Sequence, residues 1–113
     1  MPSVIEEKSF AFSVRIVNLY RHLSERKKEF VMSKQLLKSG TSIGANVAEA
    51  EQAQSRADFT SKMGISLKEA SETKYWLKLL AATGYLTEAE ASSMLLDCVE
   101  LEKILVSIVK STK

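Results

Sequence analysis

Between Ser3 and Lys113 the chain has no proline; its only one is residue 2. Proline inside a helix removes a backbone donor and collides with the carbonyl four residues back, and elsewhere it punctuates turns. A long stretch without it lets helices run and supplies few of the tight corners that a sandwich or barrel needs. Only four glycines accompany it, so an all-α fold is expected. With 113 residues there is room for one modest core and little for a deep cleft, which sets a single domain over residues 1–113.

Apolar periodicity divides this chain into four helices. Ser3-Val4-Ile5-Glu6 has the S-x-x-E form in which hydroxyl and carboxylate each satisfy an orphan amide at a helix start. The first helix is read from there to about Leu23, with Ile5, Phe12, Ile16, Leu19 and Leu23 on one stripe and Phe10, Val14 and Val17 on a second beside it. Ser24 to Lys28 is charged and aperiodic, so it is read as the first turn. The second helix is expected from roughly Lys28 to about Gln54, where Ser55-Arg56-Ala57-Asp58 repeats the start signal and sets a sharp corner. In the third, Phe59, Met63, Ser66, Ala70, Thr73, Leu77, Leu80 and Gly84 alternate by four and three residues, a heptad seam. Gly84 is a natural stop, because glycine takes the left-handed conformation freely. Thr87-Glu88-Ala89-Glu90 opens the fourth helix, where Leu95, Cys98, Leu105 and Val109 share a stripe flanked by Met94, Leu101, Ile104 and Ile108. Four helices with short joints give an antiparallel up-down-up-down bundle.

The segment SGTSIGANVAE, Ser39 to Glu49, sits inside the second helix and carries Gly40 and Gly44. Each costs roughly 1 kcal/mol against alanine in a helix interior. Glycines four apart share a face, Ala48 extends it, and such a ledge lets another helix approach closely. The small middle of the third helix's seam, Ser66, Ala70 and Thr73, is the expected partner. The alternative is a break near Ser39 with a restart at Thr41 or Ser42. A phosphate-cradling loop does not fit, since neither a preceding strand nor a following Lys-Ser or Lys-Thr is present.

Residues 33 to 86, from SKQLL to TGYL, resemble the core of the four-helix-bundle family first recognised in proteins encoded by intervening sequences of bacterial 23S ribosomal RNA genes. Ser42-Ile43-Gly44-Ala45-Asn46-Val47-Ala48-Glu49 is the most specific part. The resemblance implies a left-handed antiparallel bundle assembling as a homopentameric ring. It also implies kinship with an accessory subunit of diversity-generating retroelements, where a basic pentamer binds a reverse transcriptase and nucleic acid. Many members of the family have Gly after the motif's Glu; Ala50 stands here, which suggests a second helix running unbroken toward Gln54.

His22 and Cys98 are the only residues of their kinds, so one chain cannot gather a zinc site or a nucleophile with its base and orienting partner. No enzyme activity, cofactor, metal or small-molecule substrate is expected. Cys98 reads as a small buried hydrophobe and His22 as a surface residue near the first helix's C-terminus. Asn46 and Glu49, a turn apart beside the ledge, could look like an acid-base pair; capping or cross-helix hydrogen bonds that fix register are the preferred reading. Glu49, Glu51 and Asp58 lack the Glu-x-x-His element of bundle metal sites.

A formal charge of +2 neither demands nor excludes a polyanionic partner, but its distribution is uneven. Arg15, Arg21, Arg26, Lys27, Lys28, Lys34 and Lys38 face only Glu25 and Glu29 across that stretch, while the fourth helix is net negative. Arg21, Arg26, Lys27, Lys28, Lys34 and Lys38 are therefore the candidate contacts for RNA or DNA, with no aromatic stacking platform expected among them. Tyr75, Trp76 and Tyr85, beside or beyond the third seam, are the candidate oligomer anchors. The double apolar stripes of the first and fourth helices also exceed what one bundle core uses. One cysteine, a charged beginning and no run of about eighteen apolar residues read as a cytoplasmic chain without a membrane span. The readings left open are a nucleic-acid binder, acting beside a nucleic-acid enzyme, and a structural or protein-interaction module.

Overall fold

In the computed structural model, which describes residues 3–113, four helices pack together. Among those residues there is no strand, and no helix is long and apolar enough to cross a membrane. The first helix, α1 (Val4–Arg21), starts on the expected capping box, with the Ser3 side chain accepting from the Glu6 amide and the Glu6 carboxylate accepting from that of Ser3. It does not stop at Leu23. A π-helical turn follows, His22–Arg26, in which the Lys27 N–H reaches back five residues to the His22 carbonyl at 3.2 Å. That wider turn keeps Ser24, Glu25 and Arg26 coiled while Leu23 is fully buried.

Helix α2 (Met32–Ala50) begins four residues later than its apolar pattern suggests. Lys28, the expected first residue, has φ 55°, in the left-handed region that side chains other than glycine seldom adopt. Glu29 then supplies the cap that no Ser, Thr or Asp provides. At the other end α2 stops at Ala50, not near Gln54, even though alanine stands there. The Gln52 amide bonds to the Glu49 carbonyl and the Ala53 amide to that of Ala50, both tight three-residue closures. The chain must turn before Ser55, whose side chain caps α3 (Arg56–Ala82) by accepting from the Asp58 amide, as expected. A Schellman closure ends α3: Gly84 has φ 85°, Tyr85 N–H bonds to Leu80 O and Gly84 N–H to Ala81 O. Thr87 and Glu90 then form the capping box of α4 (Glu88–Thr112).

Gly40 and Gly44 lie inside an unbroken α2, but their ledge faces α1 and not the seam of α3. A Cβ on Gly40 would stand 2.7 Å from the Ile16 side chain; one on Gly44 would stand 3.1 Å from Ser13 Oγ and 3.2 Å from the Ser9 carbonyl. The α3 seam takes the adjacent face through hydroxyls. Ser66 Oγ donates to the Ile43 carbonyl at 2.9 Å, and Thr73 Oγ1 donates to Ser39 Oγ at 2.9 Å. Ser39, Ser66 and Thr73 are all fully buried, so the small polar middle of that seam is where α2 and α3 are joined.

Residue numbers fall along each helix as they rise along its neighbour. Lys8 meets Glu100 and Arg15 meets Asp97; Glu49 meets Lys62; Arg56 reaches Thr112, and Ser71 reaches Glu102. Buried residues of all four helices form one core, including Phe12, Ile16, Leu36, Ile43, Met63, Leu77, Leu80, Leu101 and Leu105. The two stripes of α1 separate: Ile5, Phe12, Ile16 and Leu23 are in this core, whereas Phe10 and Val14 are exposed. Those of α4 do not separate. Met94, Cys98, Leu101 and Leu105 are buried and Leu95, Ile104, Ile108 and Val109 pack against them, so α4 spends both stripes on the monomer.

A candidate nucleic-acid interface

The corner between α1 and α2 is built around one buried carboxylate. Glu29 is 5% exposed, and its oxygens accept from the amides of Val31, Met32 and Ser33 at 2.9–3.0 Å. Its own amide bonds to the Leu23 carbonyl, and Ser33 Oγ donates to its carbonyl at 2.7 Å. Three orphan donors at the α2 N-terminus are thereby satisfied, with negative charge at the positive end of the helix dipole. Of the two acids that seemed to oppose the basic cluster, Glu29 is thus turned inward, while Glu25 stays exposed.

Arg21, Arg26, Lys27, Lys28, Lys34 and Lys38 are all exposed. Among the described residues none of the six takes part in an ion pair. Lys34 and Lys38 are one turn apart on the outer face of α2. Arg15 does not join them: its guanidinium holds Asp97 at 2.6 Å and Ser93 Oγ at 2.8 Å across the α1–α4 seam. No aromatic stacking platform is expected among these charges, yet Phe30, directly after Glu29 and between Lys28 and Lys34 in the chain, is 54% exposed. Val31 after it is 75% exposed. The missed signal is one of phase, because Phe30 lies before the first turn of α2 and outside the stripe of Leu36, Ile43 and Val47.

His22 is half-buried where α1 gives way to the π turn; it is the C-cap residue of α1, its backbone N–H bonding to the Asn18 and Leu19 carbonyls. Its Nε2 lies 3.7 Å from a Glu90 carboxylate oxygen and, among the described residues, has no hydrogen-bond partner. Glu90 is held below the ordinary carboxylate range chiefly by the Thr87 backbone N–H, with His22 and Lys27 adding positive charge nearby.

Asn46 and Glu49 do not converge. Asn46 Nδ2 donates to the Ser42 carbonyl of its own helix at 2.8 Å, and Ser42 Oγ to that of Lys38 at 2.6 Å. Glu49 pairs across to Lys62 at 3.3 Å. Glu49 thus makes one of the cross-helix bonds between α2 and α3, beside the buried ones of Ser39, Ser66 and Thr73. Burial, then the Glu102 carboxylate, pushes the Cys98 thiol up to about 12. It is therefore protonated and unreactive near neutrality. Among the described residues no three His, Cys, Asp or Glu side chains gather as a metal site.

Of the three candidate anchors, Tyr75 is 59% exposed, while Trp76 and Tyr85 are half-buried against the core. Tyr75 and Trp76 meet edge to face at 5.2 Å, and Trp76 Nε1 donates to Glu72. Another apolar surface lies elsewhere. Phe10, 71% exposed, and Ala11 of α1 border a groove of about 650 Å³ whose other wall is Gly44, Ala45, Val47 and Ala48 of α2.

A search of curated protein sequences gives no match. The crystal structure, at 1.70 Å, of a protein with unknown function from the S23 ribosomal protein family of Bacteroides thetaiotaomicron VPI-5482 is similar to this chain at 60% identity, covering 95% of this chain and 99% of that one, with a TM-score of 0.94. The family model for the 23S rRNA-intervening sequence protein matches residues 3–107, from the cap of α1 into α4. The chain belongs to the 23S rRNA-intervening sequence protein family.

Proposed function

We propose that the protein is a non-enzymatic binding module that contacts RNA or DNA through the corner between the π turn and the start of α2. One observation carries this reading: six exposed cations stand together in the chain without an ion-pair partner among the described residues, while of the two carboxylates in that stretch Glu29 is buried and Glu25 alone is exposed. Cations that have no internal partner release counterions from a phosphate backbone at little cost to the protein itself.

The finer architecture belongs to the same proposal. The chain is a left-handed, antiparallel up-down-up-down bundle, in keeping with the opposed residue order across each seam, and it self-associates as a ring of five. Exposed Phe10 and Val14 beside the α1–α2 groove support self-association, with Tyr75 as a further anchor. Repeating the basic corner around a ring turns a modest charge per chain into a multivalent surface. The protein works in the cytoplasm, beside a nucleic-acid enzyme such as a reverse transcriptase. The same groove favours a second reading, a protein-interaction scaffold whose lysines only keep it soluble.

Titrating labelled RNA and DNA over a salt series separates the two. A binder loses affinity steeply with salt, and replacing Lys27, Lys28 and Lys34 with Ala flattens the log-log slope by about two to three. Affinity that does not respond to salt or to those substitutions favours the scaffold.

A further inference from the structure

We infer that Phe30 is a base-stacking platform and that the basic corner takes single-stranded nucleic acid in preference to duplex. This rests on the polyanion reading above and narrows it.

Phe30 is 54% exposed, although phenylalanine is among the residues most often withdrawn from water. Nor is the ring carried on a slack loop. The Glu29 amide is tied to Leu23 behind it, and the Glu29 carboxylate is tied to the amides of Val31, Met32 and Ser33 ahead. Backbone on both sides of Phe30 is thus anchored, one side to the π turn and the other to α2, so little conformational freedom remains to be lost when a ligand covers the ring. Exposed Lys27 and Lys28 precede it and exposed Lys34 follows.

A rigid aromatic face among unpaired cations suits an unpaired base. In a duplex the base faces are covered by their neighbours and only edges and phosphates are presented, so the ring has nothing to stack on; an unpaired strand offers both face and phosphate. An anionic lipid surface would also attract the charges. Phe30 and Val31 alone, however, make far less apolar area than the long amphipathic face that holds a helix in an interface.

The test uses the full chain, a labelled 20-nucleotide RNA of mixed sequence that cannot self-pair, and the duplex of the same strand. Anisotropy titrations at several salt concentrations compare the native protein with F30A, F30W and the triple alanine variant at Lys27, Lys28 and Lys34. The native protein should bind the single strand more tightly than the duplex. F30A should weaken single-strand binding about tenfold, leaving the duplex affinity and the salt slope as they were. F30W should restore the affinity and show tryptophan quenching with the single strand alone. The triple variant should lose both ligands and flatten both slopes.

Native-like binding of the single strand by F30A overturns the stacking role while leaving the polyanion reading in place. Absence of any salt-dependent binding by the native protein overturns both. Phosphatidylserine vesicles complete the set: if F30A loses vesicle binding with its RNA affinity intact, the ring serves a membrane and the inference fails.

Discussion

Gly40 and Gly64 lack the same side chain for different reasons, and one substitution separates them. Both are inside helices, where alanine is favoured by roughly 1 kcal/mol. A Cβ on Gly64 meets nothing within 4 Å, whereas one on Gly40 would stand 2.7–2.8 Å from three carbons of the fully buried Ile16. Ile16 is enclosed by the core and cannot swing aside. Gly64→Ala should raise unfolding stability by about 0.5–1 kcal/mol. Gly40→Ala should lower it by about 1–2 kcal/mol, as overpacking outweighs the propensity gain. Urea unfolding of the two variants checks both signs. Gly40 was legible in sequence as a close approach, but its partner was not. A single helix shows which residues share a face, while which neighbour fills that face is decided by the packing of all four.

At the scale of the helices, the ends matter most. Ser3, Ser55 and Thr87 were readable as caps because their partners are three residues away; Gly84 was readable because it needs φ 85°. The start of α2 was not, because its cap is a glutamate acting from outside the helix on three amides at once. Glu29→Ala leaves those amides without an internal partner and should cost about 2 kcal/mol, with faster hydrogen exchange at Val31, Met32 and Ser33 as the local sign. The same blind spot hid much of the candidate site, since counting charge along the chain cannot tell an inward Glu29 from a surface one, or predict that Phe30 is left outside.

The α1 and α4 capping boxes also give the protein an acid limb. Glu6 and Glu90 titrate below the ordinary value of 4.5, each held down first by a backbone N–H, from Ser3 and Thr87 respectively. Near and below that value the unfolded chain binds more protons than the folded one, so the stabilisation is present above pH 4.5 and fades as pH falls through the lower folded values. A Glu6→Gln, Glu90→Gln double variant should show a shallower loss of melting temperature between neutral and acid pH.

For the whole molecule, the exposed stripe of α1 makes a prediction about mass. If Phe10 and Val14 are covered by sister copies, light scattering at micromolar concentration should give about five times the 12.6 kDa of one chain. Phe10→Glu should reduce that toward a single chain without loss of helical signal, since the ring is outside the monomer core. A native mass of 12.6 kDa would remove the ring and its multivalency together.

The four seams of the body are not fastened alike. Glycine contact closes α1 on α2, buried hydroxyls tie α2 to α3, and the Cys98 thiol reaches the Ala70 carbonyl between α3 and α4. Between α4 and α1, exposed ion pairs at Lys8 and Arg15 span hollows lined by both helices. Exposed pairs of this kind contribute about 0–1 kcal/mol each and weaken with salt. Whatever breathing the cross-section has is therefore concentrated along one edge, like a book whose spine is glued and whose clasp is only magnetic.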